Sequence, residues 1–395
     1  MSKIFEYCLL PYFKGICVSD RQFGFREGLG CNNSIHTVKK VINYFNSRNT
    51  TVNVGVIDLR KAFDKVNIYG LLCMLQEHNV NLSLVNILEN WFCKCFSKTH
   101  WSGAWSNYVS LTSGVRQGGI LSPVLFTLYV DVVLSKLEAS ALGCFVNYQC
   151  YNSFMYADDI IILSISVTEL QSLFNICADV FKGLDLPIND SKSHCMRIGP
   201  RCGNPCAYLT INDSVLEWVD NINFLGVTIC KAKIFKCCWN DTKTKFFVSS
   251  NTIIGRLGSS APLDVLLKLI NTHGLQNLLY GSSATGLTIA ELSSFAHAYN
   301  SIFAKIFHTT CNNTIRQCQF YSGNLSFNMI YELQRYTFLR NLLLNDKLNK
   351  TAKIDECDYL DFIDIGKKYN FNINNSVAML KGKLWHAFKL EIDLI

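Results

Sequence analysis

The segment Asn152-Ser-Phe-Met-Tyr-Ala-Asp-Asp-Ile-Ile-Ile-Leu-Ser164 places two adjacent carboxylates inside an apolar run. The apolar residues on both sides of Ala157-Asp158-Asp159 predict two buried strands joined by a tight turn. Adjacent carboxylates in such a hairpin repel one another and resist removal from water, so we expect a cation beside them. A solvated turn, which Asp-rich dipeptides often form, is the alternative that this motif alone leaves open.

A third carboxylate, Asp58, follows a second strand-like segment, Val52–Ile57, which is rich in β-branched residues. An adjacent strand would bring Asp58 beside the turn that carries Asp158 and Asp159. Mg²⁺ prefers a few oxygen ligands, and two or three carboxylates meet that need. Two such ions about 4 Å apart can activate a primer 3′ hydroxyl and stabilise the departing pyrophosphate. Asp64 is the alternative ligand, although the helix dipole alone favours an acidic residue at its position.

Two further features follow Asp58 in the sequence. Helical patterns cover about 61–77 and 82–96, and Phe63 falls where a rigid ring would press on the sugar of an incoming nucleotide. A core aromatic is the alternative interpretation of Phe63. The glycine-rich loop that includes Gly118 precedes a long apolar helix over about 121–142. Its glycines would allow close approach of the backbone to a nucleotide or template, and Arg116 and Gln117 offer polar groups there.

Charge, cysteine content and apolar run length limit the classes of protein to which the chain can belong. The formal net charge of +7 fits a partner that carries phosphates. The eighteen cysteines are scattered irregularly, which favours reduced thiols in a nuclear or cytoplasmic protein over a secreted one. The apolar run Ile120–Val130 ends at Asp131 and is too short to span a membrane, so we expect a buried helix there.

Beyond about residue 230 the pattern becomes mainly helical. A group of acidic residues near the C-terminus has no histidine at a paired spacing, and it predicts a solvated face. The group consists of Asp355, Glu356, Asp358, Asp361 and Asp364.

Six blocks, in this order and spacing, resemble the reverse transcriptases of non-LTR (LINE-type) retrotransposons. Chance matches to all six are implausible, and together they cover about residues 1–230. The blocks are Gln22–Arg26, Val56–Asp64, Gly114–Pro123, Phe154–Asp159 and, more weakly, Leu186–Lys192 and Phe224–Gly226.

The resemblance implies an α+β right-hand polymerase. Its partial fingers would occupy residues 1–50, its palm 51–230, and a mostly helical thumb and C-terminal region 231–395. Asp58, Asp158 and Asp159 would hold two Mg²⁺ ions, with Mn²⁺ as a substitute. The implied reaction adds dNTPs to a DNA primer on an RNA template, and nothing in the sequence predicts an oligomeric state.

The resemblance also implies roles for single residues. Phe63 would exclude ribonucleotides, Lys192 would lie near the pyrophosphate as a proton donor, and Arg26 would contact substrate from the fingers. Residues of the glycine-rich loop would position nucleotide and template, and a later turn would support the primer end. The loop residues are Arg116, Gln117 and Gly118. The turn that would support the primer end consists of Phe224, Leu225 and Gly226.

Two rival functions stay open. A viral-type polymerase that makes RNA would favour an acidic or small residue in place of Phe63. A decayed element copy would bind RNA or DNA without catalysis. The basic fingers segment and the endonuclease that the family carries upstream have no room before Asp58, so the resemblance predicts a truncated copy with reduced activity.

Overall fold

The computed structural model describes residues 2–13, 15–258, 260–345 and 355–394, and the chain divides into two compact units. Unit 1 comprises residues 1–34, 41–225 and 229–236, and unit 2 comprises residues 35–40, 226–228 and 237–395. The finer division into fingers, palm and thumb stays a prediction.

Unit 1 contains both strands and helices. Its strands are β1 (Val52–Ile57), β2 (Phe96–Ser97), β3 (His100–Trp101), β4 (Ala104–Trp105), β5 (Val109–Ser110), β6 (Phe145–Val146), β7 (Gln149–Cys150), β8 (Ser153–Tyr156), β9 (Asp159–Ser164), β10 (His194–Ile198), β11 (Leu209–Ile211), β12 (Ser214–Trp218) and β13 (Asn221–Phe224). Its helices are α1 (Ser2–Leu9), a 3₁₀ turn (Leu10–Phe13), α3 (Ala62–Lys65), α4 (Ile68–Glu77), α5 (Leu82–Cys93), α6 (Ser122–Ala139) and α7 (Val167–Gly183). Helix α2 (Cys31–Asn46) and strands β14 (Val227–Cys230) and β15 (Lys236–Cys238) have residues in both units.

Six strands of unit 1 form one sheet in the order β11-β12-β10-β1-β9-β8. Strand β1 pairs antiparallel with β9 on one side and with β10 on the other, and all six of its residues are buried. The sheet therefore confirms the predicted strand over 52–57 and the predicted hairpin over 152–164.

Helix α7 packs against the centre of this sheet. A Cβ atom built on Gly55 would stand 2.3 Å from Cζ of Phe174, so only glycine at this position of β1 lets the ring lie against the strand. Buried apolar residues of α4, α5 and α6 join the same core. This packing fixes the end of β1, where Asp58 follows.

The single helix predicted over 61–77 is wrong. Lys61 has a left-handed backbone with φ of 51°, and helix α3 is only four residues long. Asn67 then caps the separate helix α4, because its side chain accepts a hydrogen bond from the backbone N–H of Gly70 at 3.0 Å. The predicted long apolar helix is observed as α6.

Unit 2 is built mainly from helices. They are α8 (Asn240–Leu257), α9 (Leu263–Leu269), a π-helical turn (Ile270–Gly274), α10 (Leu275–Leu279), α11 (Ser282–Thr285), α12 (Ile289–Phe307), α13 (Asn312–Tyr321), α14 (Phe327–Leu344), α15 (Glu356–Lys368) and α16 (Val377–Ile392). Together with the sheet of unit 1, they confirm the α+β fold class and the helical character predicted beyond residue 230.

The solvated acidic face predicted near the C-terminus is wrong for Asp358. Its carboxylate is buried and forms ion pairs with Lys40 and Arg335, and it lies 2.8 Å from Nε2 of His36. Asp361 joins the group at its half-exposed edge, 3.0 Å from Arg335. The pairing histidine was overlooked because it precedes Asp358 by 322 residues.

All eighteen cysteines lie in the described part of the chain, and none of them forms a disulfide there. Among the described residues, no helix is both long and apolar enough to span a membrane.

Candidate active site

Asp58, Asp158 and Asp159 come together at one end of the central strands. Antiparallel pairing places Ile57 opposite Ile160, so Asp58, which follows β1, lies beside Asp159 at the start of β9. Asp158 occupies the two-residue turn between β8 and β9. The adjacent strand that the sequence analysis required is therefore present.

The turn that carries Asp158 has a left-handed residue, Ala157, with φ of 56°. The buried side chain of Gln22 supports it: Oε1 accepts hydrogen bonds from the N–H groups of Ala157 at 3.2 Å and Gly24 at 2.9 Å. A Cβ atom on Gly24 would stand 2.4 Å from the Ala157 nitrogen. Glycine at this position therefore allows the segment to lie against the turn.

The three carboxylates form an electrostatically unbalanced group. Burial, followed by the charges of Asp158 and Asp58, raises the pKa of Asp159 to about 6. Burial also raises the pKa of Asp158, and the charge of Asp58 acts in the same direction. Within the described residues, no Lys, Arg or His forms an ion pair with any of the three. Such a group is stabilised by an added cation.

Asn189 and Ser193, neither of which was predicted to have a role, hold Asp58 in place. The side-chain Nδ2 of Asn189 donates to the Asp58 carboxylate at 2.8 Å, and its backbone N–H donates to the Asp58 carbonyl at 2.8 Å. Ser193 Oγ accepts from the backbone N–H of Asp58 at 3.2 Å. Their only sequence signal was their position beside Lys192, whose side chain is exposed.

Phe63 is partly buried and held between other rings. It stacks on Phe126 with a centroid distance of 4.3 Å and an interplanar angle of 15°. Phe25 approaches edge-on at 6.2 Å, and the ring of Tyr156 lies 6.5 Å from Phe25. Phe63 thus has a fixed orientation, and Phe25 is an aromatic neighbour that the sequence analysis did not select.

The glycine-rich loop is tied to helix α3. Gly114 donates its N–H to Val66 and Val115 donates to Phe63, both at 2.8 Å. Gln117 donates from Nε2 to Asp64 at 3.2 Å. The carboxylate of Asp64 thus accepts from the side-chain amide of Gln117, and this contact holds Gln117 against helix α3, which also carries Phe63.

The other two predicted residues of this loop differ in their surroundings. The Arg116 guanidinium donates to Sγ of Cys95 at 3.2 Å and lies 5.5 Å from the ring centroid of Trp91. Gly118 is exposed, with φ of 76° and open space around it. Of the two, the backbone of Gly118 is the more open to a ligand.

Arg26 is bonded to its own segment of the chain, and the side chains of Phe224 and Leu225 in the predicted primer support are buried. The Arg26 guanidinium donates to the carbonyls of Ser19 and Gln22 at 2.9 and 3.2 Å, and to Asp20. Phe224 and Leu225 are buried. Leu225 and Gly226 have φ of 48° and 77°, which forms a tight turn. Primer support at this turn would therefore come from its backbone.

The donor types at the carboxylate site fit Mg²⁺, which prefers carboxylate oxygens and keeps water or phosphate oxygens as further ligands. Across the described ranges, no group of three or more His, Cys, Asp and Glu side chains is already arranged to hold a metal ion. The three carboxylates are thus near neighbours with the right chemistry, and their assignment as metal ligands stays a prediction.

The sequence of the chain is similar to those of reverse transcriptases, including the polymerases of retrotransposable elements. The profile of the family described as "Reverse transcriptase (RNA-dependent DNA polymerase)" matches residues 2–229. The retrovirus-related Pol polyprotein of the type-1 retrotransposable element R2 from Popillia japonica is 25% identical over 270 residues, which is 65% of this chain and 43% of that protein. The RNA-directed DNA polymerase of the mobile element jockey from Drosophila funebris is 25% identical over 232 residues, 54% of this chain and 24% of that protein. The chain spans less than half the length of these relatives.

Solved structures give more distant likenesses. Apo telomerase from Candida Tropicalis has a TM-score of 0.46 and 13% identity, covering 98% of this chain and 60% of that one. Telomerase from Candida albicans, bound to a fragment of telomeric RNA, has a TM-score of 0.45 and 10% identity, covering 93% of this chain and 54% of that one.

Proposed function

The chain belongs to the reverse transcriptase (RNA-dependent DNA polymerase) family, and from this premise we propose that it adds dNTPs to the 3′ end of a DNA primer on an RNA template. The matches to the R2 and jockey elements confirm the resemblance to non-LTR retrotransposon polymerases that the sequence motifs predicted.

One observation carries the proposal: Asp58, Asp158 and Asp159 converge from neighbouring strands without a compensating ion pair among the described residues. A fold gains nothing from concentrating like charges in a partly buried place unless a ligand neutralises them. Two Mg²⁺ ions, or Mn²⁺ in their place, would be held here and would supply charge stabilisation for nucleotidyl transfer.

The carboxylate positions are maintained by the chain's own hydrogen bonds. Asn189 orients one oxygen of Asp58, which leaves its other oxygen for a ligand. Gln22 supports the turn of Asp158 through Ala157. Orientation of this kind lowers the cost of arranging the reacting groups when substrate binds.

Phe63 is the proposed sugar selector. The stacking on Phe126 and the edge contact with Phe25 hold its ring rigid, as steric exclusion of a 2′ hydroxyl requires. An apolar ring offers that hydroxyl no hydrogen-bond partner. This supports DNA over RNA as the product.

Residues of three loops complete the proposed site. Gln117 and Gly118 would contact nucleotide and template, with Arg116 a neighbour that holds the loop through Cys95. Lys192, exposed in the loop that orients Asp58, would donate a proton to the leaving pyrophosphate. The backbone of the Leu225–Gly226 turn would support the primer end.

Primer extension on an RNA template tests the proposal. The parent protein should extend an annealed DNA primer with dNTPs in Mg²⁺ and fail to do so in EDTA. Asp158→Asn removes a charge while keeping the side-chain shape, and it should abolish extension. Asp213→Asn, on an exposed turn away from the sheet centre, is the matched control and should extend like the parent.

Three results would contradict the proposal. Extension that survives Asp158→Asn would remove this carboxylate from the reaction. Efficient incorporation of ribonucleotides by the parent would favour the RNA-synthesising alternative. Primer-template binding without any extension by the parent would instead favour a non-catalytic remnant.

A further inference from the structure

The segment from β2 to β5 exposes several large aromatic side chains. Trp101, Trp105 and Tyr108 are 79%, 60% and 70% exposed. Rings of this size are usually buried, because each can remove about 150–250 Å² from water. A cluster of exposed rings therefore indicates a surface that binds something.

The segment forms a hairpin, in which β2 pairs with β5 and β3 pairs with β4. Phe96 pairs with Ser110 at its base, and His100 pairs with Trp105 nearer the tip. Ser102 and Gly103 have φ of 45° and 82° and form the two-residue turn at the tip. The rings are thus carried by a paired ribbon with a specified register.

Cross-strand register assigns the rings to two faces. Residues paired across an antiparallel ribbon share a face, and consecutive residues of a strand point to opposite faces. His100 and Trp105 therefore lie on one face, and Trp101 lies on the other. The two tryptophans are close along the chain but cannot contact the same flat ligand together.

The face that carries Trp105 also holds a cation. Nζ of Lys98 lies 4.3 Å from the centroid of the Trp105 ring and 5.0 Å from that of Tyr108. The ring of His100 is 4.6 Å from Trp105. We call Lys98, His100, Trp105 and Tyr108 the aromatic-basic face.

The charged residues within the hairpin segment itself are all basic. No acidic residue occurs between Glu89 and Asp131, whereas Lys94, Lys98 and Arg116 fall within that interval. A segment that combines exposed rings with cations and carries no carboxylate of its own complements a chain of exposed bases and phosphates. Duplex nucleic acid does not expose the faces of its internal bases, so it matches this surface poorly.

We propose that the aromatic-basic face binds single-stranded nucleic acid, with bases stacked on Trp105 and Tyr108 and a phosphate paired with Lys98. The inference rests on the proposed function in one respect: a template-copying enzyme must hold template that is not yet paired. It adds a binding site on the hairpin, outside the carboxylate site.

Direct binding tests the inference without catalysis. Labelled single strands of about ten uridines or ten thymidines are titrated with protein in EDTA and without dNTPs, and binding is measured by fluorescence anisotropy. Trp105→Ala should weaken binding about 10-fold, the effect of losing one stacked base. Trp105→Phe keeps a ring and should restore most of the affinity.

Trp101→Ala is the matched control, since it removes an equally exposed ring from the opposite face of the same hairpin. It should change the affinity less than about 2-fold, because no stacked base is lost there. Lys98→Ala should lower the salt dependence of binding by the equivalent of about one phosphate contact. A blunt duplex should bind the parent and Trp105→Ala equally.

The results separate this inference from the proposed function. Equal losses in Trp101→Ala and Trp105→Ala, or none in either, would overturn the face assignment. Parent protein that binds phosphatidylserine vesicles but no oligonucleotide would make the hairpin a membrane contact and overturn the inference. Failure of the parent to extend a primer would reject the proposed function alone, since strand binding is measured without dNTPs or metal.

Discussion

Two groups of partly or fully buried carboxylates differ in how their charge is balanced. In unit 1, burial and like charges raise the pKa of Asp159 to about 6. In unit 2, burial alone would raise the pKa of Asp358, but His36, Arg335 and Lys40 together hold it well below its ordinary value. The charge of Asp358 is balanced by partners within the fold, whereas the unbalanced charges around Asp159 make that group a candidate binding site for a cation.

The compensated group provides the largest expected effect. Asp358→Asn removes the buried anion of Arg335 and Lys40 and leaves them only the more exposed Asp361 and Asp355, so it should lower the free energy of unfolding by about 3–5 kcal/mol. Urea denaturation, monitored by circular dichroism, measures this change in the free energy of unfolding. Asp361→Asn removes the half-exposed partner of Arg335 and should cost less than about 1 kcal/mol. Equal costs for both variants would show that burial does not distinguish the two carboxylates.

The same group predicts a pH dependence. Burial lowers the pKa of His36 from 6.5 to about 4, so at neutral pH the ring is uncharged and donates from Nε2 to Asp358. Between these two pKa values only the unfolded chain binds the proton, and acid therefore favours unfolding. Stability present above 6.5 is lost as the pH falls towards 4.

Urea denaturation at neutral pH and at about pH 4.5 should show a loss of about 2–3 kcal/mol in the parent. His36→Gln retains a hydrogen-bond donor but cannot titrate, and it should lose that much less over the same interval. Identical pH profiles for the two proteins would mean that His36 is not the responsible group.

Close to the uncompensated group, a substitution should change selectivity more than stability. Phe63→Val removes the ring that stacks on Phe126 and should improve the kcat/KM for ribonucleotides relative to dNTPs by about 10- to 100-fold. Because the ring is only partly buried, the cost in stability should stay below about 2 kcal/mol. Tyr208→Ala, which removes an exposed ring that has no role in the proposed site, is the control. Unchanged selectivity in Phe63→Val would make Phe63 a packing residue.

The sequence allowed much of the uncompensated region to be predicted. Strand β1 and the β8–β9 hairpin are each continuous in sequence, and the β-branched residues of β1 and the apolar runs on both sides of the β8–β9 turn are local signals. The adjacency of Asp58 to Asp159 followed once both lay at strand ends. Asn189 was not recognised, because an amide that orients a carboxylate has no spacing signal of its own.

The compensated region could not be predicted for a related reason. His36 and Asp358 meet from helices α2 and α15, and their partner Arg335 comes from α14, so no local pattern links them. A run of acidic residues usually marks a solvated face, and that general expectation failed at Asp358 because two cations, Lys40 and Arg335, and the neutral ring of His36 converge on it. Long-range pairing, rather than local propensity, decided this region.

The smallest expected effect has an unusual sign. At Asp159 the folded pKa of about 6 exceeds the ordinary 3.8, so protonation stabilises the fold in acid and that contribution is lost as the pH rises through 6. In EDTA at neutral pH, Asp159→Asn removes the repelled charge. It should raise the free energy of unfolding by about 1 kcal/mol, since solvent screens this partly exposed group.

In EDTA we expect Asp159→Asn to be more stable than the parent, and in Mg²⁺ we expect the parent to be the more stable of the two. The parent should gain stability on binding the ion, by an amount that grows with the ratio of its concentration to the Kd, whereas Asp159→Asn should gain less. Asp64→Asn, which alters a neighbouring carboxylate outside the group, should match the parent in both EDTA and Mg²⁺. If Asp64→Asn instead lost the Mg²⁺ response, the ligand set would include Asp64. If Asp159→Asn destabilised the protein in EDTA, the group would be compensated after all, and the contrast between the two regions would fail.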